Sequence, residues 1–357
     1  MLDTYELGSL TLPNRIVMAP MTRARATEDG LPVASMATYY AQRATAGLIV
    51  SEGMYPSAAS QSNPNAPGIH SDAQVAAWRP VTAAVHANGG RIFAQIMHGG
   101  RVVHPETAGH HPVGPSAIAL DAEVFTPQGL KPAVVPRALT TEEVRGEVAV
   151  FADAARRAVD AGFDGVELHG ANGYLIQQFL SSTANQRTDA YGGSIAGRIR
   201  FAVEVAEACA AAIGADLVGI RLSPGGPTWG MAEDDVPDLY GALIAALAPL
   251  GLGYVHVMET AEEDVLLAMR KMWPGAFMVN PGGQMLAAKQ AEQTGREAGD
   301  YWLWQGADLI SYGRAYLANP DLVERFRLGL PLRPAPDRET WYAGGDADFV
   351  TYPTHQH

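Results

Sequence analysis

The sequence predicts an α/β fold: a single (β/α)8 TIM barrel over residues 1–357, with an N-terminal β-hairpin and a long loop after the third strand. Eight short apolar runs recur along the chain, and seven of them are followed directly by a segment with helical spacing. The runs are continuous rather than alternating, as in parallel strands that are buried on both faces. Neither a sequence repeat nor an interdomain linker is evident, which favours one domain.

The apolar runs predict the barrel strands, and an alternating stretch around Gly8 and Ser9 predicts the hairpin at residues 5–13. Glycine, proline or polar residues follow the runs and mark the strand ends. The predicted barrel strands are residues 15–19, 48–51, 91–96, 166–168, 217–222, 254–258, 276–279 and 308–312.

Capping boxes predict three helix starts, at Ser71, Thr140 and Thr260, because a hydroxyl and a Gln or Glu three residues later can satisfy the first backbone N–H groups. Pro80 lies inside the first of these helices and predicts a kink or a division into two pieces. Asn319, followed by proline, is expected to cap the last helix. Further helical spacing covers residues 36–46, 195–213, 239–250 and 284–305. The apolar face expected for the helix behind Thr140 consists of Val144, Val148, Phe151, Ala155 and Val159.

Residues 101–138 interrupt the alternation of strands and helices. They are rich in Pro, Gly and His and show no lasting periodicity. A loop of this length inside a compact domain is usually functional, so we expect a lid over the site.

Composition excludes several classes of function. The net charge of -13 argues against a nucleic-acid or anionic-membrane partner. The single cysteine, Cys209, permits no intrachain disulfide and is expected in the core. No apolar run reaches the roughly 18 residues that a membrane span needs, and no signal peptide is evident. A cytoplasmic protein, monomeric or homodimeric, is the expectation.

Polar residues cluster where the predicted strands end, which is where such barrels carry their active sites. His169, Asn172 and Tyr174 follow the fourth strand. Two interpretations of this trio are open: helix caps with a packing phenol, or donors in a site. Arg221 ends the fifth strand and needs an anionic or electron-rich partner. Glycines end the seventh and eighth strands, where barrels often bind a phosphate on backbone N–H groups, and Arg314 would add charge there.

Several motifs at these strand ends are similar to those of one family, in order and nearly end to end. They include Ala19-Pro-Met-Thr-Arg23, Gln95-x-x-His98, Val166-Glu-Leu-His-Gly-Ala-Asn-Gly-Tyr-Leu175, Asn185-Gln-Arg-Thr-Asp-x-Tyr-Gly-Gly-Ser194 and Tyr312-Gly-Arg-x-Tyr-x-Ala-Asn-Pro-Asp321. The sequence thereby resembles the Old Yellow Enzyme family of flavin ene-reductases. The absence of a Gly-x-Gly-x-x-Gly motif agrees with this resemblance, because a separate dinucleotide-binding domain is then not expected.

The resemblance implies FMN at the barrel mouth, NADPH or NADH as the reductant, and reduction of an activated alkene such as an enone. It implies that His169 and Asn172 donate to the substrate carbonyl and that Tyr174 supplies the proton. Arg221 would lie where negative charge grows on the flavin, and Thr22 and Gln95 at its polar edges. The other residues implied at the cofactor are Pro20, Met21, Gly53, Gly282, Gly283, Gly313 and Arg314.

The substrate pocket is where the sequence departs from the family. Met97 stands where many members have Trp, Asn63 where some have an aromatic residue, and the loop 225–230 is of local character. Trp341 and Tyr342 complete the expected pocket. These residues are expected to determine substrate preference rather than chemistry.

Other functions remain open at this point. A metal hydrolase could use His98, His169 and His256 with Glu52, although their spacing is poor for ligands. A glycosidase could use Glu52 and Glu259 as paired carboxylates. A barrel that binds a ligand without turnover, or a flavoenzyme that reduces nitrate esters or nitroaromatics, is a further alternative.

Overall fold

A closed barrel of eight parallel strands forms the centre of the protein in a computed structural model, which describes residues 1–282, 293–342 and 344–355. Each strand pairs with the next one in the chain, and the last pairs with the first, where Tyr312 is opposite Met18. The barrel strands are β1 (Ile16–Met18), β2 (Leu48–Met54), β3 (Ile92–Ile96), β4 (Gly165–Gly170), β5 (Val218–Leu222), β6 (Tyr254–Met258), β7 (Ala276–Asn280) and β8 (Leu309–Tyr312). All eight predicted strands and the predicted fold class are confirmed.

The predicted N-terminal hairpin is also present, as strands Tyr5–Leu7 and Leu10–Leu12. Leu7 and Leu12 are buried against the residues that begin the barrel strands, among them Leu48, Phe93 and Tyr254. The hairpin therefore closes the amino-terminal end of the barrel, and the carboxyl ends of the strands remain open for a site.

Two of the predicted capping boxes start long helices on the outside of the barrel. The Ser71 hydroxyl accepts the N–H of Gln74, and the Thr140 hydroxyl accepts the N–H of Glu143. Pro80 lies within one continuous helix, so the expected division into two pieces is wrong. The helices are Ala34–Ala41, Asp72–Ala87, Pro105–Ala108, Thr141–Asp160, Leu175–Leu180, Ile195–Ile213, Val236–Leu247, Glu263–Met272, Arg296–Trp304, Arg314–Ala318 and Leu322–Leu328.

Two other predicted caps are wrong, because tertiary partners take their side chains. Thr260 donates its hydroxyl to the carbonyl of Pro224, and the helix instead starts behind Glu262. Asn319 donates to the carbonyls of Ala315 and Arg333, and the last helix begins behind Asp321.

Smaller differences concern helix faces and ends. Val159 is 40% exposed rather than part of the predicted apolar face, whereas Val144, Phe151 and Ala155 are buried as expected. Cys209 is buried in the helix Ile195–Ile213. Of the predicted helix at 284–305, the part before residue 293 lies outside the described residues, and the rest contains Arg296–Trp304. No helix of the described chain has the length and apolarity to cross a membrane.

Residues 101–138 contain more regular structure than the sequence indicates. Strands Glu123–Thr126 and Gly129–Pro132 form an antiparallel hairpin, and Val113–Gly114 pairs with Arg137–Ala138. Phe125 in this hairpin lines the cavity at the barrel mouth, 6.0 Å from the ring of Tyr342. The segment therefore forms part of the wall of the site, while its action as a lid stays a prediction.

The Thr140 cap can be tested by stability measurements. We expect Thr140→Ala to lower the free energy of unfolding by about 1 kcal/mol, because the N–H of Glu143 loses its acceptor. Urea denaturation of the parent protein and the variant measures this change. Thr140→Ser keeps the hydroxyl and serves as the control, and equal stability of the Ala and Ser variants would contradict a capping role.

Candidate active site

A cavity of about 720 Å³ opens at the carboxyl ends of the barrel strands. Most of the residues that the sequence places in a site line this one cavity. They are Pro20, Met21, Thr22, Gln95, Met97, His169, Asn172, Tyr174, Arg221, Gly282, Gly313, Arg314, Trp341 and Tyr342, together with Asn63.

One predicted residue, Gly53, is not among the described residues that line the cavity. Gly53 lies beneath Met97, where a Cβ atom would come within 2.7 Å of the methionine sulfur. Glycine at this position thus allows Met97 to pack closely against β2. Gly283 lies outside the described residues.

His169 is positioned by the pairing of β4 with β5, which places it opposite Arg221. Burial lowers the pKa of His169 well below its ordinary value, and the charge of Arg221 lowers it further. The imidazole is therefore neutral at physiological pH and carries one N–H. Its Nδ1 is buried without a hydrogen-bond partner among the described residues. A neutral imidazole on the cavity wall, with one nitrogen that has no protein partner among the described residues, can form a hydrogen bond with a ligand.

Asn172 belongs to a left-handed turn, with φ angles of 55° at Asn172 and 75° at Gly173. Left-handed backbone is unfavourable for residues other than glycine, so the turn needs support. The Asn172 N–H donates to the Ser223 hydroxyl at 3.0 Å, and the Gly173 N–H donates to Gln177 Oε1 at 2.7 Å. The Ser223 hydroxyl in turn donates to the same Gln177 oxygen. These bonds fix the direction in which the Asn172 amide enters the cavity.

Tyr174 stands beside His169, with 5.0 Å between the ring centroids. It packs against Tyr55 and Met97 on one side and Trp229 on another. Burial raises the pKa of the Tyr174 phenol, and the neighbouring Tyr55 raises it further. The hydroxyl therefore keeps its proton throughout the physiological range.

The structure does not support the alternative interpretation, in which His169 and Asn172 cap the next helix. The helix Leu175–Leu180 begins directly after Tyr174, and no side chain accepts from its first N–H groups. His169 and Asn172 both line the cavity instead.

A buried carboxylate that the sequence analysis did not single out organises the floor of the site. Glu167 accepts hydrogen bonds from Gln95 Nε2 at 2.9 Å, from the Tyr254 hydroxyl at 3.1 Å and from His256 Nδ1 at 2.8 Å. Burial opposes ionisation of Glu167, but His256 and the charge of Arg221 outweigh it and hold its pKa below the ordinary value. The sequence signal that could have identified Glu167 is its position as a charged residue within an otherwise apolar strand.

Arg221 is buried and makes one hydrogen bond to Asn280, whose amide donates to the carbonyl of Ser311. Its Nε has no partner among the described residues. Burial lowers the pKa of Arg221, which nevertheless stays charged because a guanidinium is ordinarily protonated far above neutral pH. A buried cation with a free donor on a cavity wall is suited to stabilise negative charge on a bound group.

The ends of β7 and β8 bring Gly282, Gly313 and Arg314 to one side of the cavity. Gly282 has a φ of 80°, a conformation that favours glycine. Its N–H donates to Glu259 at 2.7 Å, so this donor already has an anionic acceptor. Phosphate binding by Gly282, Gly313 and Arg314 stays a prediction.

The metal and carboxylate alternatives find no support in this geometry. No group of three or more His, Cys, Asp and Glu side chains in the described ranges could hold a metal ion. Glu52 accepts the N–H groups of Arg23 and Ala24 and the hydroxyl of Tyr40, while Glu259 binds Gly282. Neither carboxylate is among the residues that line the cavity, as a glycosidase pair would have to be.

A closed (β/α)8 barrel with neutral donors, a protonated phenol and a buried guanidinium at its mouth is suited to a barrel oxidoreductase that holds an electron-accepting cofactor there. Residues 5–333 match the model of the NADH:flavin oxidoreductase / NADH oxidase family, and the chain belongs to this family. The resemblance to the Old Yellow Enzymes is thus confirmed, and the protein is an FMN-dependent NAD(P)H oxidoreductase.

Individual relatives match over nearly the whole chain. Chanoclavine-I aldehyde reductase of Penicillium roqueforti is 40% identical over 360 residues, covering 97% of this chain and 93% of the relative. Among solved structures, morphinone reductase in complex with tetrahydroNAD is 41% identical with a TM-score of 0.92, covering 99% of this chain and 97% of that one. The old yellow enzyme homologue from Zymomonas mobilis is 38% identical with a TM-score of 0.92, covering 99% of both chains.

The residues at the barrel mouth fit FMN. The cavity volume lies within the range of about 300–1,000 Å³ that is usual for ligand sites. The unpartnered Arg221 Nε and the cationic Arg314 match a flavin that gains negative charge on reduction and carries a phosphate. Gln95, whose amide is oriented by its hydrogen bond to Glu167, would bind a polar edge of the ring system.

Phenol binding tests the assignment of His169 and Asn172. Phenolates should bind to the FMN-loaded protein and produce a long-wavelength absorption band, and His169→Ala or Asn172→Ala should weaken binding by about 1–3 kcal/mol, the usual cost of removing a hydrogen bond to a charged group. Titration of the band measures the affinity.

Ser223→Ala serves as a graded comparison, because it removes the acceptor of the Asn172 N–H and the donor to Gln177 but leaves the Asn172 side chain in place. We expect a smaller loss of affinity than for Asn172→Ala, with FMN content unchanged. Parent-like phenol affinity in both His169→Ala and Asn172→Ala would remove these residues from the ligand site.

Proposed function

We propose that the protein reduces the activated C=C bond of α,β-unsaturated carbonyl compounds, with NADPH or NADH as the reductant. The observation that carries this proposal is the grouping of three neutral donors, His169, Asn172 and Tyr174, on one wall of a cavity that also contains Arg221. The compartment and the oligomeric state stay predictions from the sequence.

The names of the relatives support this substrate class. Besides morphinone reductase, they include 12-oxophytodienoate reductase 1 of rice, 40% identical over 355 residues, and a probable flavin mononucleotide-dependent alkene reductase of Leishmania infantum, 38% identical over 364 residues.

FMN, when bound, supplies hydride transfer between the nicotinamide and the alkene. The β carbon of an enone accepts hydride only if the carbonyl oxygen can take up negative charge. His169 and Asn172 donate hydrogen bonds to this oxygen without a metal ion. Because burial keeps His169 neutral, its N–H stabilises the developing charge without bringing a second cation next to Arg221.

Tyr174 then donates its phenolic proton to the α carbon. The raised pKa of this group keeps it protonated, and its position beside His169 brings it to the same substrate. Asn63 and Trp229 act in the opposite direction and partly offset the rise in the pKa of Tyr174.

Met97, Trp229 and Tyr342 shape the space available to the alkene. Met97 is buried against Tyr55 and Ala66, so its thioether fixes the inner wall. Trp229 has an unfavourable left-handed φ of 56°, which the hydrogen bond from Arg101 to its carbonyl helps to hold. The strained loop and the methionine support the expectation that substrate preference differs from that of relatives with an aromatic residue at position 97.

Tyr174→Phe tests the proton donor. We expect reoxidation of the reduced protein by cyclohexenone to slow by about 10²–10⁴-fold, the usual contribution of a positioned general acid. Reduction by NADPH and reoxidation by a quinone should stay near the parent rates, since neither requires protonation of carbon. Rapid-mixing absorbance measurements follow each step separately.

Tyr342→Phe is the matched control, because it removes another phenol from the cavity wall. It should slow enone reduction far less than Tyr174→Phe. Parent-like enone reduction in Tyr174→Phe would rule this residue out as the acid, and equal slowing of all three steps would indicate a packing role.

A further inference from the structure

The cavity wall carries more positive charge than the flavin accounts for. Among the described residues, its ionisable side chains include four arginines, Arg23, Arg221, Arg314 and Arg338, but only one carboxylate, Asp337. This concentration of positive charge occurs in a chain with a net charge of -13. A positive cavity in an acidic protein attracts anionic ligands and raises their local concentration.

Arg221 and Arg314 are predicted to face the flavin and its phosphate. Arg23 is 1% exposed and therefore lies away from the rim of the cavity. Its Nε donates to the carbonyl of Trp341 and its guanidinium lies over the ring of Tyr39, while its two Nη atoms have no partner among the described residues. It anchors the C-terminal segment.

Arg338 is exposed, lines the outer part of the cavity, and forms no ion pair with a carboxylate of the residues that the structure describes. The salt bridges of the described ranges involve none of the residues that line the cavity. The charge of Arg338 is thus available to a ligand.

The position of Arg338 is fixed by its neighbours. Its guanidinium lies over the Trp341 ring, 5.6 Å from the centroid. The Trp341 indole N–H donates to the carbonyl of Pro336 at 2.8 Å, and the Trp341 carbonyl accepts from Arg25 at 2.8 Å. Burial and, next, the charge of Arg338 lower the pKa of Arg314, and both arginines line the same cavity, so the two charges can act on one region of it. A guanidinium stacked on an anchored ring is preorganised for a planar anionic group.

We propose that Arg338 binds a phosphate group of the nicotinamide cosubstrate, an inference that rests on the proposed function. If the nicotinamide ring shares the inner cavity with the alkene, the remainder of the dinucleotide must extend towards the exposed rim. There it carries a pyrophosphate and, in NADPH, a 2′-phosphate. Arginine binds phosphate oxygens through two parallel N–H donors, which favours a phosphate over other parts of the dinucleotide.

The test measures reduction of the FMN-loaded protein by three donors: NADPH, NADH and 1-benzyl-1,4-dihydronicotinamide, which has no phosphate. Arg338→Ala should raise the apparent Kd for at least one dinucleotide by roughly 10-fold, as expected for the loss of a charge-assisted hydrogen bond. The limiting rate of reduction, the reaction with the phosphate-free donor and the affinity for FMN should change less than about 2-fold.

The two dinucleotides distinguish the phosphate that is bound. An equal effect on NADH and NADPH supports the pyrophosphate, and an effect on NADPH alone supports the 2′-phosphate. Arg327→Ala is the matched control, because it removes an exposed arginine outside the cavity and changes the net charge equally. It should leave both dinucleotide affinities unchanged.

Unchanged affinity for both dinucleotides in Arg338→Ala would overturn the proposal. So would an equal loss with the phosphate-free donor, or a loss of FMN affinity without an effect on the dinucleotides, which would place the flavin phosphate at Arg338. Failure of the proposed function is a separate outcome: the parent protein would then be reduced by NADPH but not reoxidised by any enone.

Discussion

The hydrogen bonds to Glu167 inside the barrel are the interaction on which the geometry of the site depends. A buried carboxylate is costly unless hydrogen-bond donors or opposite charges compensate it, and removing one partner leaves an uncompensated charge. Here Gln95 donates to it from β3, and Tyr254 and His256 donate to it from β6. Because burial keeps His256 neutral, its Nδ1–H is the donor to Glu167 and its Nε2 accepts from the Ser311 hydroxyl. Strands β3, β4, β6 and β8 are thus linked by side chains as well as by the sheet, and the orientation of Gln95 follows from these links.

The sequence was sufficient to predict the barrel because its strands are buried on both faces and therefore appear as continuous apolar runs. Helix starts were predictable only where the cap is a local interaction, as at Ser71 and Thr140. Thr260 and Asn319 have the same local patterns, but carbonyls on other parts of the chain take their side chains. A capping motif predicts which local hydrogen bond can form. It does not show whether a backbone carbonyl from a distant part of the chain will bind the same side chain instead.

The site shows the same division between local and non-local information. Residues at strand ends, such as His169 and Arg221, were predictable because the barrel fixes where strand ends meet. The residues that orient them were not, because the contacts join distant parts of the sequence: Asn172 to Ser223 across 51 positions, and Gln95 to Glu167 across 72. The contact between Gly53 and Met97 was also not predictable. It occurs where the register of the β2–β3 pairing shifts, and no sequence pattern reveals such a shift.

The charge of Arg221 links the two halves of the site. Its proposed role is to stabilise negative charge on the reduced cofactor, and after burial it also contributes to the lowered pKa of His169, opposite it in the β4–β5 pairing. A protonated His169 would place two cations side by side in a buried wall, which Coulomb repulsion and desolvation both disfavour. In the proposed mechanism, the cation that stabilises charge on the cofactor thus also favours the neutral form of the carbonyl donor. Since a lowered pKa moves protonation of His169 further below neutral pH, the proposed hydrogen bond from His169 to the substrate carbonyl is expected not to titrate in the physiological range.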